Sequence, residues 1–185
     1  MEIWVPLGIA GAVLVWAILT YNRLVTLRTR VDNGWSQIDV QLRRRYDLIP
    51  NLVETVEAYA RYERETFETV TRARAAAQEA SGVGQQAEAE NVLTAGLRQL
   101  LAVVEAYPDL KANQNFLSLQ EELTGTESKI AYARQFYNDT VAKLNTAIQR
   151  FPGLILARPL GFTEREFFQI DDPVRGPVQV DLGDA

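Results

Sequence analysis

Residues Ile3 to Thr20, IWVPLGIAGAVLVWAILT, carry no charged side chain and are apolar on every side of a helix. At about 1.5 Å per residue such a helix is about 27 Å long, close to the hydrocarbon thickness of a bilayer. The run reads as a membrane span, and a transmembrane anchor is expected over residues 1–22. A cleaved signal peptide would put positive charge ahead of the run and a small-residue site behind it, whereas Met1 and Glu2 precede and Tyr21, Asn22 and Arg23 follow. A core helix in one small domain is seldom apolar all round. Trp4, Trp16, Tyr21 and Arg23 lie toward the ends of the run, where amphipathic rings and cations favour the interface. Gly8 and Ala12 form a small-xxx-small pair through which two spans can pack. Glu2 is the only charge before the span and Arg23, Arg28 and Arg30 follow it, so the positive-inside rule predicts an outside N-terminus and a cytoplasmic bulk.

The 185 residues suffice for one domain with a core. A net charge of −5 argues against nucleic acid as a partner, since a binder matches the phosphate backbone with a basic surface. The chain has no Cys and no His, which removes disulfides, thiol nucleophiles, imidazole acid–base chemistry and nearly every transition-metal site. An enzyme built from it would have carboxylates, Lys, Tyr and Ser/Thr alone. No phosphate-binding glycine loop or nucleophile elbow is present, and no catalytic, cofactor-binding or metal residue is assigned.

Beyond the span, apolar residues recur every three or four positions. One stripe runs through Leu24, Leu27, Val31, Trp35, Ile38 and Leu42, and a second through Leu52, Val53, Val56, Ala60, Phe67 and Val70. A third takes Leu93, Leu97, Leu100, Leu101 and Val104, and a fourth takes Phe116, Leu119, Leu123, Ile130, Tyr137, Val141, Leu144 and Ile148. SGVGQQ at Ser81 to Gln86, YPD at Tyr107 to Asp109 and FPG at Phe151 to Gly153 read as breaks. The expected fold is all-α: an N-terminal transmembrane helix followed by an antiparallel up-down four-helix bundle over 23–157 and a non-helical acidic tail over 158–185. Within that tail VQVDL, Val178 to Leu182, alternates like a strand able to pair with a neighbouring copy.

RRRYDLIPNL, Arg43 to Leu52, interrupts the helical pattern with three cations and a proline. Consecutive helical residues point about 100° apart, so Arg43, Arg44 and Arg45 fan out and make no flat anion site. The motif suits a helix junction: cations in a last turn, Asp47 capping the next helix, Pro50 and Asn51 in its first turn. A proline kink in one continuous helix is the alternative, because the apolar phase nearly carries through.

Five charges fall on or beside the stripes: Glu63, Arg74, Glu105, Glu127 and Arg134. A carboxylate metal site would lack the His ligands of di-iron bundles and would compete with the two arginines. Ion pairs across the core are the favoured reading, because buried charge must be paired.

Several stretches together resemble one family: YNRLVTLRTRVDNGWSQIDVQLRRRYDLIPNLVETVEAYARYE, VTRAR, and VEAYPDLKANQNFLSLQEELTGTESKIAYARQFYNDTVAKLNTAIQRFPG, with GF after them. Covering most of Tyr21 to Phe162, they look like the LemA family of bacterial membrane proteins. The resemblance implies a single-span anchor in the bacterial inner membrane and a cytoplasmic four-helix bundle. It implies no reaction, and its magnetosome-associated branch points toward membrane organisation. The expected function is a non-enzymatic scaffold with the lipid bilayer, further copies of itself and other membrane proteins as partners. An accessory subunit of a membrane protease is the second reading, and a carboxylate-based hydrolase a remote third.

Overall fold

The computed structural model describes residues 4–170, and all regular structure among them is helical. The helices are α1 (Trp4–Glu57), α2 (Arg64–Glu79), α3 (Val83–Glu105), α4 (Pro108–Lys111), α5 (Gln114–Gln149) and α6 (Gly153–Leu156). The long helix α1 carries the apolar run, long and apolar enough to cross a membrane and exposed from Trp4 to Val15. It continues without a break into the core, where Leu24, Val31, Ile38, Leu42, Ile49, Leu52 and Val56 are buried in one line.

That line corrects the junction expected at Arg43 to Pro50. Pro50 lies inside α1, Asp47 and Asn51 are helical, and the corner falls later, at Ala58 to Glu63. A proline inside a helix costs about 3 kcal/mol. Ending the helix there would take Ile49, Leu52 and Val56 out of register, and each buried aliphatic side chain contributes about 1.5–3 kcal/mol. Burial outweighs the proline.

Contacts between α1 and the α5 arm pair rising numbers on one with falling numbers on the other. Trp16 meets Phe151 with ring centroids 5.6 Å apart, Trp35 meets Tyr137 at 5.5 Å, and Arg45 meets Glu127 at 2.8 Å. Gly34 makes this approach possible, since a Cβ there would stand 3.3 Å from the Tyr137 Cα. The helices α2 and α3 pack likewise through Gly96, whose added Cβ would lie 3.4 Å from a Val70 methyl. Buried residues of α1, α2, α3 and α5 share one hydrophobic core.

The loop expected over Ser81 to Gln86 is shorter than its glycines suggest. Gly82 turns the chain at φ +85°, and Val83 already opens α3. Asn113 caps α5, its side-chain oxygen accepting from the amides of Asn115 and Phe116 at 2.9 and 3.1 Å.

After α6 the chain is non-helical from Phe162 to Ile170 and lies along α5. Asn138 donates to the Phe168 carbonyl and accepts from its amide, at 3.1 and 2.9 Å. Asn145, two helical turns on, does the same to Arg165, both bonds at 2.9 Å. Phe168 is fully buried against Trp35. The stretch Val178 to Leu182 lies outside the described residues.

Candidate functional site

The largest fully buried side chain is Arg45, with 1% of its surface exposed. It projects from α1 toward α3, where Gln86, Glu90 and Thr94 step by four residues and so share one face. Its Nη2 forms an ion pair with Glu90, which is 0% exposed. Its Nη1 reaches Glu127 Oε1 on α5 at 2.8 Å and Thr94 Oγ1 at 3.5 Å. One guanidinium thus ties three helices.

The adjacent Tyr46 continues the network. Its hydroxyl donates to Glu90 Oε1, which also accepts from Gln86 Nε2 at 2.9 Å. The same Gln86 nitrogen faces the Tyr46 oxygen at 2.9 Å and the Ala77 carbonyl of α2 at 3.0 Å, so its two N–H groups serve three acceptors. All four long helices therefore meet at one polar centre. Burial pushes the Tyr46 phenol above its ordinary pKa, against the opposing pull of Arg45 and of the Gln86 hydrogen bond. Tyr46 is consequently a neutral donor and Glu90 the acceptor.

The chemistry of this centre is cohesive. Each Glu90 oxygen has a partner, and the Arg45 guanidinium already stands between Glu90 and Glu127, where a cation would have to sit. No group of three or more carboxylates is placed to hold a metal ion among the described residues. A cavity of about 570 Å³ opens elsewhere, on the α1–α5 surface beside Val40, Tyr132 and Phe136.

The five charges singled out on the stripes are arranged differently from expectation. Glu127 pairs with Arg45, and Arg134 instead donates to the Ile170 carbonyl at 3.3 Å. Arg74 donates through Nε to the Tyr46 carbonyl at 2.7 Å. Glu63 stands at the N-terminus of α2 and forms no ion pair among the described residues, because the corner at Ala58 to Glu63 ends the stripe on which it was placed. Glu105 is exposed and pairs with Lys111.

Of the arginine triplet, Arg43 is exposed and pairs with Asp39 at 3.0 Å, Arg44 is exposed, and only Arg45 turns inward. Gly8 and Ala12 are exposed, and a side chain at Gly8 would meet nothing within 4 Å. Trp4 is exposed. Trp16 and Tyr21, expected at the ends of the span, also carry packing: Trp16 lies on Phe151, and Tyr21 meets Phe162 at 5.8 Å. Arg23 lines a cavity with the end of α5.

Sequence reasoning missed Tyr46, Gln86, Glu90 and Thr94. A signal existed: Gln86 and Glu90 extend the line of Leu93, Leu97, Leu100 and Val104 backward at unchanged spacing. Read straight through Pro50, Leu42, Arg45, Tyr46, Ile49 and Leu52 also form one line. On these two lines the charged residues Arg45 and Glu90 are buried.

A family model described as the LemA family matches residues 34–182. The magnetosome proteins MamQ 1 and MamQ 2 of Paramagnetospirillum magneticum are each 26% identical over 184 residues, covering 85% of this chain and 68% of their own length. Protein LemA of Metamycoplasma hominis is 24% identical over 168 residues, covering 88% of this chain and 74% of its own.

Proposed function

The chain belongs to the LemA family, and from that premise we propose that it is a membrane-anchored helical scaffold that self-associates or recruits partners at the cytoplasmic membrane face. The first turns of α1 form the anchor, with the N-terminus outside and the bulk within the bacterial cytoplasm. The remainder is an antiparallel four-helix bundle, and a role in membrane organisation agrees with the MamQ names among its relatives.

One observation carries this reading. Val40, Tyr132 and Phe136 expose 59%, 75% and 45% of their surfaces around a shallow cavity on the α1–α5 face. Large apolar side chains gathered on an exposed surface mark an interaction site, whereas single ones are ordinary. Behind them Arg45, Tyr46, Gln86, Glu90 and Glu127 tie α1, α3 and α5 together. The names of the relatives are not those of enzymes.

The test uses full-length protein in lipid nanodiscs. Light scattering is expected to give assemblies larger than a monomer, and Tyr132→Cys, in a chain with no other Cys, should crosslink to a second copy or to a membrane partner. A strictly monomeric protein that yields no crosslinked species would refute the proposal.

A further inference from the structure

We propose that the cavity at the membrane-proximal end of α1 and α5 is a phospholipid site, taking the phosphate of a lipid from the leaflet that the span enters. The inference rests on the anchor reading of α1. Phe151, Leu154, Ile155 and Leu160 follow α5 and expose 71%, 54%, 58% and 46% of their surfaces. Phe151 packs on Trp16, which belongs to the apolar run itself. A side chain touching Trp16 stands at the depth of the inner end of the span, so this exposed cluster is continuous with the lipid-facing surface of α1. Lipid is the occupant that covers both.

The adjoining cavity, about 670 Å³, has the matching charge. Arg23 on α1 and Lys143 and Arg150 at the end of α5 line it, with Asp139 as the one opposing carboxylate. Three cations against one anion leave two positive charges. None of the three cations forms a hydrogen bond or ion pair among the described residues. Leu24, Leu27 and Phe151 supply apolar wall beside them. Arg23 lies three residues beyond Thr20, the end of the apolar run, roughly 5 Å along the axis and at headgroup depth. The turn that brings Phe151 there depends on Gly153, where a Cβ would overlap the Ala147 carbonyl oxygen. A phosphate held by the cations with its acyl chains against Phe151 satisfies both halves of the site.

Full-length protein is extracted from membranes containing equal amounts of phosphatidylcholine and phosphatidylglycerol, and its retained lipid is measured by native mass spectrometry. Wild type should keep phosphatidylglycerol in preference to phosphatidylcholine, and Lys143→Gln with Arg150→Gln should lower that retention about tenfold. Excess inorganic phosphate should leave the lipid bound; displacement would assign the site to free phosphate and overturn the proposal. A spin label on Leu154→Cys in nanodiscs should be reached by oxygen rather than by a water-soluble nickel complex, and the reverse would overturn it too. Alkaline carbonate washing separates the two readings. Release of wild type and variant alike sinks the anchor and this site with it, whereas equal lipid retention by two anchored proteins sinks the site alone.

Discussion

The Nε of Arg74 donates to the main-chain carbonyl of Tyr46 at 2.7 Å, the carbonyl that Pro50 leaves without its helical partner. In an unbroken helix the amide of residue 50 would occupy that acceptor. Proline makes the acceptor available, and α2 uses it to dock on α1.

The two residues should therefore be coupled. Arg74→Met alone is expected to cost about 1.5–3 kcal/mol, the value of a hydrogen bond to a charged group. In a Pro50→Ala background the restored amide satisfies the carbonyl, and the same change should cost much less. Denaturant titration of the four proteins in detergent gives the coupling energy, and a value near zero would remove the link.

Arg45 and Glu90 should behave as a unit. Removing Arg45 leaves Glu90 buried without a counter-charge, a loss of about 3–5 kcal/mol, and removing Glu90 leaves Arg45 only the partly exposed Glu127, whereas replacing both with apolar side chains of similar volume is often neutral. Glu90→Ala should thus lower the melting temperature sharply, and Arg45→Met with Glu90→Leu should recover most of it. Glu127 does not spoil the recovery because its side chain is 41% exposed and can be hydrated. A Glu90→Ala protein as stable as wild type would show that the pair contributes nothing.

Alkali should weaken the fold through two phenols. Burial raises Tyr46 and Tyr137 above the ordinary value of 10.0, so the folded chain disfavours their ionised forms. Below that value both states keep the proton and the contribution is complete; as pH rises further the unfolded chain ionises first, and the contribution is lost as pH passes through the folded pKa. Replacing both with Phe should start from a lower melting temperature but flatten the alkaline decline. Circular-dichroism melts across neutral to alkaline pH make the comparison, and equal slopes would refute it.

The segment after α6 should undock locally. Asn138 and Asn145 each make two hydrogen bonds to its main chain, and a net bond contributes about 0.5–1.5 kcal/mol. Changing both to Ala should speed hydrogen exchange at the Phe168 and Arg165 amides by roughly tenfold or more while exchange in the α3 core is unaffected. Amides that already exchange freely in wild type would argue that the segment is not held this way.

Several of these relationships were visible before the fold was known, and several were not. The length of α5 followed from its stripe, since Phe116 to Ile148 keep one spacing and nothing interrupts them. The corner at Ala58 to Glu63 did not, because it contains no glycine or proline while Pro50, eight residues earlier, does. A proline reads as a boundary unless the burial of the residues beyond it is known. The glutamates were also half legible: a carboxylate on an apolar line announces that it needs a partner. Which partner depends on how the helices turn toward one another. Arg74 and Arg134 were the arginines expected to pair with the glutamates across the core, and Arg45, 82 residues from Glu127, holds it instead.

By itself the sequence determined the helical class, the apolar entry and the buried stripes, because periodicity and transfer free energy act along one chain segment at a time. The tertiary structure alone decided that α1 runs through its proline, that Arg45 enters the core while Arg43 and Arg44 stay outside, and that Tyr46, Gln86, Glu90 and Glu127 converge on it. Those choices rest on the desolvation of charge and on hydrogen bonds between segments far apart in sequence, whose energies exist only once the helices have met.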